Sequence, residues 1–169
     1  MSLEFRCIVT VLGISLWGSA AAQQTRVDCK DPAQAQAVNA AFEADETARK
    51  STLNTHTAER LNRIDAEAKA LIKAGVWTEA DRRSYFGKQR ATAAYSKLEQ
   101  SKKEPLFSVQ MGRSTAAGIK SSNPAGACSY ALSTLSAYDD LRQITDTQYD
   151  MLEQGLSAIA AEHRVSLSP

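Results

Sequence analysis

Apolar residues recur along this chain at helical spacing, and no alternating run rich in valine or isoleucine follows residue 22. In the first half, three large apolar residues repeat every eleven positions: Phe42, Leu53 and Ile64. This repeat places them on one stripe of a long helix. Asp31 followed by Pro32 is typical of a helix start, and Gly75 of a helix end. The pattern predicts a first helix over residues 32–74.

Two further helical segments follow in the pattern. Thr78, with Asp81 three residues later, predicts a capped start for a second helix over 78–120, which Pro105 interrupts. Residues 121–126 are rich in loop formers. The last segment begins near Ala127 and runs toward Arg164, with apolar residues at alternating steps of three and four. That spacing is typical of a coiled-coil seam.

The N-terminal residues have the pattern of an export signal. An apolar run from Cys7 to Trp17 is followed by small residues at Ala20 and Ala22, which predicts a signal peptide over 1–22 that is cleaved. The run is shorter than the roughly 20 residues needed to span a bilayer, so no membrane anchor is expected. Residues 23–169 are then a single domain in the periplasm or outside the cell.

The three segments are of nearly equal length and have short connections between them. We therefore expect an all-α fold, an up-down-up bundle of three long helices, or four if the second helix ends at Pro105. The first and third helices then start at the same end, where Cys29 and Cys128 lie. An internal disulfide between these cysteines is the expected pairing in an oxidising compartment. Two unpaired thiols or an intermolecular bridge are the alternatives.

The sequence contains few residue patterns that indicate chemistry. The Glu-x-x-His pairs of di-iron bundles, the C-x-x-C-H haem motif, the Gly-x-Ser-x-Gly turn and Gly-rich phosphate loops are all missing. His56 and Glu59 lie one helical turn apart, which fits a weak metal site, although an exposed helix surface is the simpler interpretation. We expect no enzyme activity, no cofactor and no metal. The net charge of +1 gives little support for nucleic acid as a partner.

Charge is distributed unevenly between the predicted helices. Residues 78–104 contain seven basic and four acidic side chains, whereas 127–164 contain six acidic and two basic ones. The simplest interpretation is that these two helices are neighbours with complementary charge, and the alternative is a docking surface for a charged partner. The candidate partner surface comprises one aromatic and four basic residues: Trp77, Arg82, Arg83, Lys88 and Arg90.

These observations favour a binding protein over a catalyst. A rigid scaffold with a disulfide loses little entropy when it binds, which fits an exported inhibitor or immunity-type protein with one protein partner. A periplasmic chaperone or envelope-stress protein is the first alternative, because the basic second helix with its Pro105 break fits a flexible cradle. A carrier of a small ligand or metal is the second alternative, if the alanine-rich core leaves room.

Overall fold

A computed structural model describes residues 27–167, and the predicted signal peptide over 1–22 lies outside this range. The described part of the chain is helical without any strand, which confirms the all-α class. It has five helical segments: α1 (Pro32–Lys73), α2 (Glu79–Arg90), α3 (Ala93–Ser101), α4 (Lys103–Ile119) and α5 (Pro124–Glu162). Among these segments, no helix has both the length and the apolar character needed to cross a bilayer.

The first helix follows the prediction closely. The Asp31 carboxylate accepts hydrogen bonds from the backbone N–H groups of Ala33 and Gln34, so it caps the first turn. At the other end the chain leaves the helix through Gly75, whose φ of +74° suits glycine. Between these ends α1 is continuous over 42 residues.

The second predicted helix is divided into three segments, so three long helices of equal length are not confirmed. Thr78 and Asp81 form the predicted capping box, but α2 ends at Arg90 and the side chain of Thr92 caps a new helix. A further break at Lys102 separates α3 from α4. Pro105 lies in the first turn of α4, three residues beyond that break, where its missing N–H costs no hydrogen bond.

The last helix begins three residues earlier than predicted. Asn123 accepts a hydrogen bond from the N–H of Gly126, and Pro124 occupies the first helical position. This pair repeats the arrangement of Asp31 and Pro32 at the start of α1. Residues expected to form a loop therefore form the N-terminal cap of α5.

The contacts between helices define their directions. Arg49 pairs with Asp139 and Arg63 with Glu153, so α1 and α5 advance together and are parallel. The middle segments run the other way, because Glu99 contacts Gln148 whereas the later Gly112 meets the earlier Thr134. The predicted disulfide joins Cys29 to Cys128, where α1 and α5 both begin. Cys128 is fully buried.

The core contains two clusters of buried residues, which lie at different distances from the disulfide. The cluster nearer the disulfide contains Phe42, Ala116, Ala131 and Leu135. We call the other the distal cluster; its buried members are Ile64, Ala68, Leu71, Tyr149, Leu152, Leu156 and Ala160. Trp77, Tyr85 and Phe86 cover the distal cluster from the α2 side.

Gly155 leaves space for the ring of Tyr85, whose O–H donates to the carbonyl oxygen of Leu152 at 2.8 Å. A Cβ at position 155 would overlap the Tyr85 hydroxyl oxygen. We expect Gly155→Ala to lower the free energy of unfolding by about 1–3 kcal/mol in urea titrations. Adding Tyr85→Phe removes the overlapping oxygen and should recover more than half of that loss.

Gly118→Ala is the matched control for this substitution, since nothing lies within 4 Å of a Cβ built there. It should raise the free energy of unfolding by about 0.5–1 kcal/mol, because alanine is the better helix former. Failure of Tyr85→Phe to recover any stability would show that the overlap does not explain the glycine.

Candidate functional site

The parallel helices α1 and α5 are joined along one side by ion pairs that recur every seven residues. Four residues of α1 and four of α5 form this charge seam: Arg49, His56, Arg60 and Arg63 with Asp139, Asp146, Asp150 and Glu153. Parallel helices with a heptad pattern bring side chains of equal heptad position together repeatedly, which explains the regular spacing.

Arg60 is the centre of the charge seam. Its Nη2 lies 2.7 Å from Asp150 Oδ1 and 2.9 Å from Glu153 Oε2, and its side chain is only 12% exposed. Its guanidinium carbon is 5.8 Å from the centre of the Tyr149 ring. Burial lowers the pKa of Arg60, but hydrogen bonds to Asp150 and Glu153 outweigh this and raise the pKa above its ordinary value.

This seam shows that the charge part of the simplest interpretation is wrong, although the two segments are neighbours, as the contact of Glu99 with Gln148 shows. Four of the six acidic residues of α5 pair with basic residues of α1, whereas residues 78–104 form no ion pair with α5 in the described part of the chain. Two basic residues of that segment are paired elsewhere. Arg82 contacts Asp65 and Glu79, and Lys102 contacts Glu99. The basic segment therefore does not have α5 as its electrostatic complement.

The other five basic side chains of residues 78–104 are exposed to solvent. We call the following five the basic face: Arg83, Lys88, Arg90, Lys97 and Lys103. Each is exposed, and none forms an ion pair within residues 27–167. Tyr85 of α2 and Tyr95 of α3 pack against the distal cluster. The helices thus carry five exposed positive charges, of which Arg90 also lies beside Tyr95 at the edge of that cluster.

The residues predicted for a partner surface fall into two groups. Arg83, Lys88 and Arg90 are exposed on the basic face. Trp77 is half-buried, with its ring centre 5.1 Å from that of Tyr85. Arg82 is also half-buried, and its Nε is buried without a hydrogen-bond partner. Trp77 and Arg82 therefore belong with the packing of α2 onto α1 and α5, because the tight turn at Gly75 directs them inward.

Sequence reasoning missed the exposed apolar residues of α4. Phe107 is 63% exposed, Leu106 53% and Met111 46%. Tyr130 of α5 is similarly exposed, and its carbonyl oxygen lies beside Gly112, next to Met111. The spacing of these residues did not indicate that they are exposed, because Phe107 and Met111 are four residues apart and resemble a pair that faces the core. Exposed Phe, Met and Tyr are typical of protein interfaces.

The histidine that fitted a weak metal site has another role. His56 Nε2 lies 2.5 Å from Asp146 Oδ1 in the charge seam. Within the described residues, no group of three or more His, Cys, Asp or Glu side chains is arranged to hold a metal ion. His56 therefore connects α1 to α5 through its contact with Asp146.

Glu67 lies beside the charge seam with its Oε2 buried and without a hydrogen-bond partner. Burial, and then the nearby Glu153, raise its pKa above the ordinary carboxyl value. A raised pKa in the folded state adds stability when the carboxyl is protonated, and this is lost as pH rises through the folded-state pKa. We expect Glu67→Gln to be more stable than the natural protein at pH 7 and equal to it near pH 3.

Urea unfolding of both proteins across this pH range measures the effect. The exposed Glu59→Gln on the same helix controls for the substitution itself. A stability gain of Glu67→Gln that is the same at both pH values would contradict the protonation argument.

Comparison with known protein families, with curated proteins and with solved structures finds no match to this chain.

Proposed function

We propose that this protein is an exported, non-catalytic helical scaffold that binds one protein partner with an acidic surface through its basic face. The observation that carries the proposal is that five exposed positive charges on α2 to α4 have no ion pair in the described residues. Four of the six acidic residues of α5 are already paired with α1, and the other two, Asp140 and Glu162, form no ion pair within residues 27–167.

Charge of this kind contributes more to association than to stability. Exposed ion pairs add little to folding, so the basic face is not needed to hold the helices together. An unpaired basic surface speeds encounter with an acidic partner and fixes its orientation. The apolar residues Leu106, Phe107 and Met111 continue the exposed side of the same segments and supply groups of the type that anchor interfaces.

The scaffold suits stoichiometric blocking of an enzyme or toxin. The disulfide and the charge seam hold α1 and α5 in a fixed relation before binding, and these two helices are the frame against which α2 to α4 pack. A frame that is already ordered reduces the entropy lost on association, although α2 and α3 themselves are held less tightly. An inhibitor or immunity-type protein therefore remains our leading hypothesis.

The test is capture of the partner from the native envelope by residues 23–169, followed by affinity measurement with charge-reversed variants. Arg83→Glu with Lys97→Glu should weaken binding at least about tenfold, which is about 1.4 kcal/mol. Lys50→Glu with Lys73→Glu is the matched control, since both lysines are exposed on α1. Equal losses for the two pairs, or no loss for either, would contradict a specific role of the basic face.

A periplasmic chaperone is the second candidate, favoured by the packing of α2 and α3. Neither helix has a fully buried residue, so both are held more loosely than α1 or α5. Recovery of many weakly held, salt-sensitive clients in the same capture experiment would favour this candidate. A single partner that survives high salt would favour the inhibitor.

A further inference from the structure

An apolar groove lies at the disulfide end of the molecule, away from the basic face. It has a volume of about 580 Å³, within the range of small-molecule sites. Six of its lining residues present no polar side-chain group: Cys29, Pro32, Ala35, Ala40, Pro124 and Ala125. It follows the first turns of α1 and is bounded by the start of α5 and the end of α4.

The floor of this groove is fixed by several contacts. The side-chain amide of Asn39 donates to the carbonyl oxygen of Pro124 at 2.9 Å and so ties α1 to the start of α5. Ala35 is buried beside it. The disulfide closes the same region, because Cys29 lines the groove. The groove is therefore formed by the folded chain before any ligand enters.

The charged residues that line the groove are Lys30 and Lys120. Both are exposed, and neither forms an ion pair within residues 27–167. The nearest acidic residues in sequence, Asp28 and Asp31, do not line the groove, and both accept hydrogen bonds from backbone N–H groups. An occupant would therefore meet an apolar floor, the side-chain amides of Gln36 and Asn39, and two positive charges that form no ion pair in the described residues.

We propose that this groove binds a single-chain aliphatic anion, such as a free long-chain carboxylate. The alkyl chain lies along Pro32, Ala35 and Ala40, a path of about 12 Å on α1. The carboxylate lies between the ammonium groups of Lys30 and Lys120. This proposal is independent of the proposed function, since it uses none of the residues of the basic face.

Another groove of comparable size does not fit this ligand. It lies between α4 and α5, has a volume of about 510 Å³, and four of its ten lining residues are serines. Its charged lining residues are Glu104 and Asp140, which would repel an anion. The chemistry of the lining therefore distinguishes the two grooves.

The test measures binding of dodecanoate, octanoate and butanoate to the disulfide-bonded protein, by calorimetry or by NMR shifts below the micelle concentration. Affinity should rise about fourfold for each further methylene that is buried. Dodecyltrimethylammonium has the same tail with a positive head and should bind at least tenfold more weakly than dodecanoate. Equal affinity for the two head groups would overturn the proposal.

Variants separate the two parts of the groove. Lys30→Glu with Lys120→Glu should reverse the preference, so that the cationic probe binds more tightly than dodecanoate. Ala125→Trp fills the apolar part from an exposed position and should abolish binding of both probes, while Lys97→Glu on the basic face should leave both unchanged. Circular dichroism confirms that each variant is folded. Unchanged head-group preference in the lysine variant would overturn the proposal.

A vesicle experiment tests whether the anion that binds is a lipid head group in a membrane surface instead of a free carboxylate. Binding to vesicles with anionic lipids, without saturable binding of monomeric dodecanoate, would overturn the proposal in favour of a lipid surface. Saturable binding of the monomer by the natural protein, lost in Ala125→Trp, is the result that we expect.

Discussion

Replacement of both Cys29 and Cys128 by alanine should lower the free energy of unfolding by about 4–5 kcal/mol. The bond joins residues separated by 99 positions, so it removes a large loop-closure entropy from the unfolded chain. This loss is a large part of the total stability of a typical single domain, which is about 5–15 kcal/mol. Urea unfolding monitored at 222 nm measures the change, and we expect the variant to unfold at much lower urea concentration.

Reduction of the natural protein provides the control for this prediction. Because Cys128 is fully buried, reduction should be carried out in urea and followed by refolding in reductant. The reduced natural protein and the alanine variant should then have similar stability, and reductant should not affect the variant. A loss below about 1 kcal/mol in both proteins would show that the unfolded chain keeps its ends close without the bond.

Leu156→Ala should lower the free energy of unfolding by about 3 kcal/mol. Leu156 is fully buried in the distal cluster, where Leu71 and Leu152 are its buried companions. Shortening the side chain removes buried apolar area and leaves a cavity, because the long helices on both sides cannot both move inward. Thermal and urea unfolding should both report the loss.

Leu61→Ala is the matched control for this substitution, since Leu61 is 45% exposed on α1. It should change stability by less than about 1 kcal/mol. The distal cluster is about 42 Å along α5 from Cys128, so Leu156→Ala and removal of the disulfide should have additive effects. Equal losses for Leu61→Ala and Leu156→Ala would contradict the burial assigned to them.

Local capping signals predicted the ends of α1 and the start of α2 correctly. Asp31 with Pro32 and Thr78 with Asp81 act through hydrogen bonds within one turn, so the sequence alone contains the information. The disulfide was predicted from the directions of the helices, because parallel first and last helices begin at the same end. The start of α5 was misplaced for a related reason: Asn123 and Pro124 were interpreted as loop residues, although they repeat the signal used for α1.

The breaks in the middle of the chain depend on weaker signals. Thr92 caps α3, but threonine within a helical pattern is too common to mark a boundary. The break at Lys102 has no side-chain cap at all. Neither break has a strong local signal, so the sequence pattern does not fix where these short helices end. Pro105 indicated the region of the break without giving its position.

The charge seam was the feature of the site that sequence reasoning could not provide. The pairs Arg49–Asp139 and Arg63–Glu153 join residues 90 positions apart in the chain. A shift of α5 by one turn relative to α1 would leave the composition and hydrophobic spacing unchanged and create different pairs. The position of α5 relative to α1 therefore determines which acidic residues stay available to pair with α2 to α4. That position is known only from the structure.

The disulfide also determines how the protein would respond to mechanical force. Tension applied between residues 27 and 167 passes from Cys29 directly to Cys128 and then along α5, so α1 to α4 carry no load. The sequence separation of 99 between the cysteines corresponds to about 340 Å of extended chain that pulling cannot release while the bond is intact. Only reduction would make this length extensible, so the same molecule is short and stiff when oxidised and several times longer when reduced.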